Sequence, residues 1–292
     1  MKVLLLGSGG QVGRALGGTL GSFAQVTSFD RAGLDFADPA AVRGVVRAER
    51  PDVVVNAAAY TDVDAAEKDE AGAMRVNADA VAAIGEECLR ARVGLVHYST
   101  DFVFDGRSSR PYVEDDAPAP LGAYGRTKLA GERSLLDLGA PAIVLRTAWV
   151  YSLGRRSFVS SILRLARERD SLRVVADQVG SPTFAGDLAF ATALLLFGMR
   201  DDVRAGVERS RGVYHLAGGG AVSRSDFAAA VLELDPRKSE HRARRVDPIA
   251  TSEYPLPAAR PAFAPLDCQK AHERFGIALP HWRDALARAL LQ

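Results

Sequence analysis

The aliphatic run Lys2-Val-Leu-Leu-Leu6 breaks at Gly7-Ser-Gly-Gly-Gln-Val-Gly13, and a helical pattern begins at once behind it. A strand that ends in such a turn constrains the rest of the chain. Gly7 can make the tight turn, Gly10 can admit a pyrophosphate against the backbone, and Gly13 lets helix and strand pack closely, with Gln11 and Val12 opening the helix beneath the phosphates. The same rhythm then repeats. Val26–Phe29, Val53–Asn56, Leu95–Ser99 and Ala142–Arg146 are short, branched-rich runs suited to strands buried on both faces. Helical patterns over 11–20, 39–49, 77–92 and 123–138 separate them. This alternation predicts an α/β chain: a Rossmann-like, doubly wound parallel sheet with a smaller C-terminal substrate-binding lobe.

Beyond Trp149 the pattern loosens, with helices over 157–168 and 186–198, strands over 172–176 and Gly212–Leu216, and a last helix from Trp282 to Leu291. Pro248, Pro255, Pro257, Pro261 and Pro265 argue against long regular elements between them. The division expected is a nucleotide-binding domain of residues 1–150 and 185–217 and a discontinuous lobe of 151–184 and 218–292.

The longest apolar run, Leu188 to Gly198, falls short of the roughly 20 residues a bilayer helix needs, so no membrane partner is expected. Gly7 ends the first apolar stretch too early for a signal peptide, and a cytoplasmic protein is expected. Cys88 and Cys268 are too far apart in sequence to suggest a disulfide framework. A formal charge of +1 gives no general attraction for nucleic acid, and the basic cluster His241-Arg-Ala-Arg-Arg245 reads as solvated surface.

Chemistry concentrates at the carboxyl ends of the predicted strands. Asp30, closing the second, suits the adenosine ribose hydroxyls of NADH, while Arg31 beside it suits the 2′-phosphate of NADPH, so either cofactor fits; Asp35 and Phe36 follow near the adenine. Asn56-Ala57-Ala58-Ala59-Tyr60-Thr61 offers small side chains against which a cofactor can lie. Asn77 reads equally as a helix N-cap. The fourth strand ends in Tyr98-Ser-Thr-Asp101, placing Thr100 and Asp101 at the same edge. Tyr124 and Lys128 lie one helical turn apart on a single face. A phenol can protonate the oxygen of a carbonyl that receives hydride, provided its pKa falls from about 10, and a neighbouring ammonium is the expected means. Trp149 reads equally as a core aromatic or a ligand contact.

Taken together, these segments identify a resemblance. Gly7-Ser-Gly-Gly-Gln-Val-Gly13, Asn56 to Glu67, Tyr98-Ser-Thr-Asp-Phe-Val-Phe104, Tyr124 to Glu132, Arg146 to Tyr151, Asp177-Gln-Val-Gly-Ser-Pro-Thr183 and Arg260-Pro261 resemble the dTDP-4-dehydrorhamnose reductases, a branch of the extended short-chain dehydrogenases whose glycine spacing is G-x-x-G-x-x-G. The resemblance implies a sugar-nucleotide substrate, NADPH or NADH as hydride donor, Tyr124 as the acid, Thr100 tuning it, Lys128 on the cofactor ribose, and Asp101 with Trp149 on the sugar nucleotide. A homodimer is compatible with it. Three positions depart from the family pattern: Phe102 replaces a tyrosine, Ala264 a serine, and Ala15 the acid through which some members hold a bridging Mg²⁺. No metal is expected.

Overall fold

The computed structural model describes residues 1–291. Its centre is a parallel sheet of β1 (Lys2–Leu6), β2 (Gln25–Phe29), β3 (Val53–Asn56), β4 (Gly94–Thr100), β5 (Ala142–Thr147) and a strand far along the chain, β6 (Gly212–His215). The spatial order is β6-β5-β4-β3-β1-β2, every neighbouring pair parallel. Strand order reverses between β1 and β3, and that switch point opens a crevice beyond their carboxyl ends.

Two helical layers cover the sheet. On one side Val3, Leu5, Val55, Val96, Ile143 and Leu145 meet helix α1 (Gln11–Leu20) and the helix Ala185–Gly198. On the other, Leu4, Leu6, Val54, Leu95 and Val144 meet α2 (Pro39–Glu49) and α3 (Ala80–Ala91). Alternate residues of each strand thus enter opposite cores, which explains why these strands read as unbroken apolar runs. A separate cluster joins Tyr151, Phe158–Glu168, Leu172–Val175, Arg224–Leu234 and Trp282–Leu290, with Val246–Ile249 pairing parallel to Leu172–Val175.

Boundaries from the sequence hold to within one or two residues for most elements, with corrections at Asn77 and in three helices. Asn77 does not cap a helix: it lies buried in a π-helical turn, Arg75–Asp79, ahead of α3. Its amide donates to Tyr60 O and Thr127 Oγ1, both at 3.1 Å, and its oxygen accepts from Tyr60 N at 2.9 Å. Pro248 lies within a strand, tolerated because that strand has a single partner. The helices Val203–Arg209, Arg224–Leu234 and Gln269–Phe275 were not anticipated.

Helix α4 (Ala123–Asp137) carries Tyr124 and Lys128 and is fixed at several points. Glu67 accepts from its Ala123 N–H at 2.7 Å, replacing a side-chain N-cap that Gly122 cannot supply. A Cβ at Gly131 would stand 2.1 Å from Asn77 O, so helix and π-turn touch backbone to backbone. Underneath, Glu132 and Arg146 form a buried bidentate ion pair, 2.9 and 2.6 Å long. Breaking such a pair leaves an unpaired buried charge. Arg146→Leu should therefore lower unfolding free energy by about 3–5 kcal/mol, and Glu132→Leu in addition should restore much of it; urea unfolding of both variants checks this.

Candidate active site

The turn after β1 has the geometry its glycines suggested. Gly7 has φ +85° and a Cβ there would lie 2.4 Å from Ala58 N, while one at Gly13 would lie 2.1 Å from Gly7 O. Only glycine satisfies both. Gly10 N-caps α1 without a side-chain cap or a first-turn acid, so the first N–H groups of a ten-residue helix face the crevice free for an anion. Gln11 turns away from them: its amide donates to Val150 O at 3.4 Å and its oxygen accepts from Ser152 at 2.9 Å. Val12 and Ala57 flank one core, and Ala58 the other. Ala57, Ala58 and Ala59 are half-buried, and Thr61 is exposed.

Asp30 and Arg31 are both exposed immediately after β2. One Asp30 oxygen is taken by Ala32 N at 2.9 Å and Gly33 N at 3.3 Å. Asp35 forms the same kind of turn, accepting from Ala37 N at 2.8 Å. Phe36 is a core residue, 5 % exposed among Leu34, Val42 and Val46, and its ring does not stand open to an adenine. Tyr98, which the sequence reading counts among the cofactor-binding residues, has its hydroxyl 2.6 Å from Thr192 in the core, and it meets the site through its carbonyl, which accepts from Lys128 Nζ at 2.7 Å.

Thr100, Asp101 and Tyr124 converge at the end of β4. The Thr100 hydroxyl donates to Asp101 at 3.1 Å and accepts from Phe102 N at 3.2 Å. Phe102 meets the Tyr124 ring edge-on, centroids 5.5 Å apart, so the family's missing hydroxyl is replaced by an aromatic wall beside the phenol. Burial pushes the phenol up to about 12, opposed by the Thr100 hydroxyl and reinforced by the Asp101 charge. Lys128, the group expected to lower it, places its Nζ on the Tyr98 carbonyl. The lysine is 2 % exposed and directed into the sheet, its pKa brought down to about 8 by burial against the partial compensation of Glu132.

Trp149 is half-buried and holds φ +44°, an uncommon conformation for a bulky residue. The indole is clamped: a Cβ at Gly180 would fall 2.5 Å from it, and the Arg224 guanidinium stacks 4.0 Å above. Arg224 also donates to Gln178 at 2.9 Å. Burial lowers it to about 10, so it stays cationic at neutral pH while facing Asp101 and Arg260. Arg260 in turn forms a bidentate pair with Asp64 at 2.7 Å, tying the C-terminal segment to the short helix Val63–Ala66 beyond β3. Arg224 was not singled out from sequence, and Gln178 only as part of the Asp177–Thr183 segment. The available signal was Ser223-Arg-Ser-Asp226 ahead of an apolar run, a helix-start pattern whose Ser223 hydroxyl does accept from Asp226 N at 3.0 Å.

The chain matches the family model described as the RmlD substrate binding domain over residues 1–292. It is 43 % identical over 290 residues to a dTDP-4-dehydrorhamnose reductase of Burkholderia thailandensis, covering 98 % of this chain and 97 % of that protein. It belongs to the dTDP-4-dehydrorhamnose reductase family. Among solved members of the family, that of Clostridium acetobutylicum superposes with a TM-score of 0.89 at 32 % identity, covering 99 % of this chain and 98 % of that one. The Bacillus anthracis reductase, solved in complex with NADP, does so with a TM-score of 0.88 at 30 % identity and the same coverage. Two other departures from the reductase pattern are explained locally. Ala264 is buried, its amide donating to Val179 O at 2.9 Å, and Ala15, within α1, packs against the core.

Burial raises Asp101 to about 7, only partly offset by Thr100 and Arg224. A carboxyl raised above its unfolded value of about 3.9 favours the protonated folded state, so stability falls as pH rises through the window from about 4 to 7. Asp101→Asn should therefore be more stable than the parent at pH 7.5, by about 2–4 kcal/mol at most, with the difference vanishing near pH 4. Thermal unfolding of both proteins across that range checks it.

Proposed function

We propose that this chain is an NAD(P)H-dependent oxidoreductase that reduces the C4 ketone of dTDP-4-dehydro-L-rhamnose to dTDP-L-rhamnose. The observation that carries the reading is the convergence of Thr100, Asp101 and Tyr124 at the β4 edge, beside a glycine turn shaped for a pyrophosphate, in a chain that the reductase family's model matches over residues 1–292. When bound, a reduced nicotinamide would supply the hydride for the carbonyl carbon.

The chain's own residues do the rest. The phenol of Tyr124 donates its proton to the oxygen that was the ketone, and the Thr100 hydroxyl beside it opposes the burial that raises the phenol. A phenol near 12 stays fully protonated at neutral pH, the form required of the acid in reduction. Lys128 would hold the cofactor ribose. The uncapped first turn of α1 with Gly7, Gly10, Gln11, Val12 and Gly13 would take the pyrophosphate, and Asp30, Arg31, Asp35, Ala57, Ala58, Ala59 and Thr61 would lie along the remaining cofactor, with Phe36 behind them in the core and Tyr98 contributing only its carbonyl, through Lys128. Arg224, stacked on Trp149, faces the site with a cation suited to the substrate diphosphate. Residues 1–150 with 185–217 form the cofactor-binding body, and 151–184 with 218–292 the substrate lobe. Among the described residues no helix is long and apolar enough to cross a membrane.

Mixing the protein with NADPH or NADH and dTDP-4-dehydro-L-rhamnose should consume nicotinamide absorbance and yield dTDP-L-rhamnose by NMR; turnover of another 4-keto-6-deoxy sugar nucleotide in its place would reassign the substrate. Tyr124→Phe should lower kcat by about 10²–10⁴ while leaving NADPH binding, read by fluorescence titration, within about twofold.

A further inference from the structure

Beneath Lys128 lies a buried chain of polar groups that the reaction as described does not use. The lysine Nζ is 3.3 Å from His97 Nε2, and His97 Nδ1 is 3.1 Å from Asn56 Nδ2. His97 is 0 % exposed and Asn56 2 %. The Asn56 amide is oriented by a third bond, Ala58 N donating to its Oδ1 at 3.1 Å. With that oxygen occupied, the amide presents N–H to Nδ1, which must therefore carry a lone pair. A neutral imidazole has one hydrogen, so it sits on Nε2, facing the lysine. An Nε2–H is a poor neighbour for an ammonium and a donor to an amine.

We propose that Asn56 and His97 form a positioning pair for Lys128, holding its nitrogen on the Tyr98 carbonyl and favouring its neutral amine by directing the imidazole hydrogen at it. The proposal rests on Lys128 serving the cofactor and so the reaction. Other charged groups near the lysine do not cancel this bias. Glu132, one turn along the same helix, is occupied on both oxygens by Arg146 of β5. His215 of β6, held at about 3 by burial and by Arg146, is uncharged. Asp101 and Tyr124 stand at the mouth, on β4's end and the first turn of α4. The ring itself stays neutral, because burial and the lysine charge both oppose its protonation.

The tautomer can be read directly. Two-dimensional ¹⁵N–¹H NMR of histidine-labelled protein at pH 7 should show His97 protonated on Nε2. Asn56→Asp offers only acceptors, moves the imidazole hydrogen to Nδ1 and gives Nε2 a lone pair for the ammonium. The alkaline limb of kcat against pH should then rise by about one unit. Adding His97→Leu should remove most of that rise, leaving the through-space effect of the new carboxylate. A wild-type ring protonated on Nδ1, or a limb that moves equally in N56D and N56D/H97L, would overturn the proposal. Lys128→Met with undiminished kcat and NADPH affinity would overturn the role of the lysine instead, while leaving the tautomer result standing.

Discussion

Most of the site depends on how helix α4 is pressed onto the sheet. The buried Glu132–Arg146 pair sets its depth, the Gly131 contact with Asn77 O sets its approach, and Glu67 closes its first turn. A buried ion pair is poor value as stabilisation compared with apolar packing, but it tolerates no slippage, because any shift leaves a charge without its partner. Tyr124, eight residues before Glu132 on the same rigid helix, inherits that precision. So does Lys128, one turn from Glu132, which would otherwise have an obvious carboxylate to pair with; Arg146 occupies both of its oxygens.

Around this anchor the site gathers groups that folding alone would avoid. Asp101 is a carboxyl raised to about 7, Lys128 an ammonium lowered to about 8, and Arg224 a guanidinium taken largely out of water. Trp149 adds a left-handed backbone. Each is held against its preference by ordinary packing elsewhere: two aliphatic cores sandwich the sheet, and a smaller cluster of Val103, Phe104, Tyr112, Leu129 and Leu266 lies against Trp149. Perturbed titration clustered at one sheet edge is what an active site requires, since charge must develop there without waiting for solvent to reorganise.

The departures from the reductase family pattern fall where they disturb this arrangement least. Phe102 keeps an aromatic edge against Tyr124, and Ala264 lies buried with its backbone hydrogen bond intact. Ala15 lies on α1, on the face packed toward the core rather than at the glycine turn.

The fold was legible because parallel strands buried on both faces must be continuously apolar, and because a strand-to-helix turn with positive φ and no room for Cβ demands glycine; Gly7 and Gly13 declare both. Tyr124, Lys128, Thr100 and Asp101 were legible as residue types at strand and helix positions that the topology brings to one edge. What a side chain does once there was not. Periodicity does not say that Lys128 turns toward the Tyr98 carbonyl and His97 rather than toward the phenol, that Tyr98 buries its hydroxyl against Thr192, or that Phe36 joins the core. Arg224 lies 75 residues beyond Trp149 in the chain, yet stacks on it. Sequence by itself determined the sheet, its glycine turn and the set of reactive groups, because those follow from local pattern and backbone sterics. Tertiary structure alone decided the direction of each polar side chain, since burial and long-range hydrogen-bond partners set that direction and neither is written in neighbouring residues.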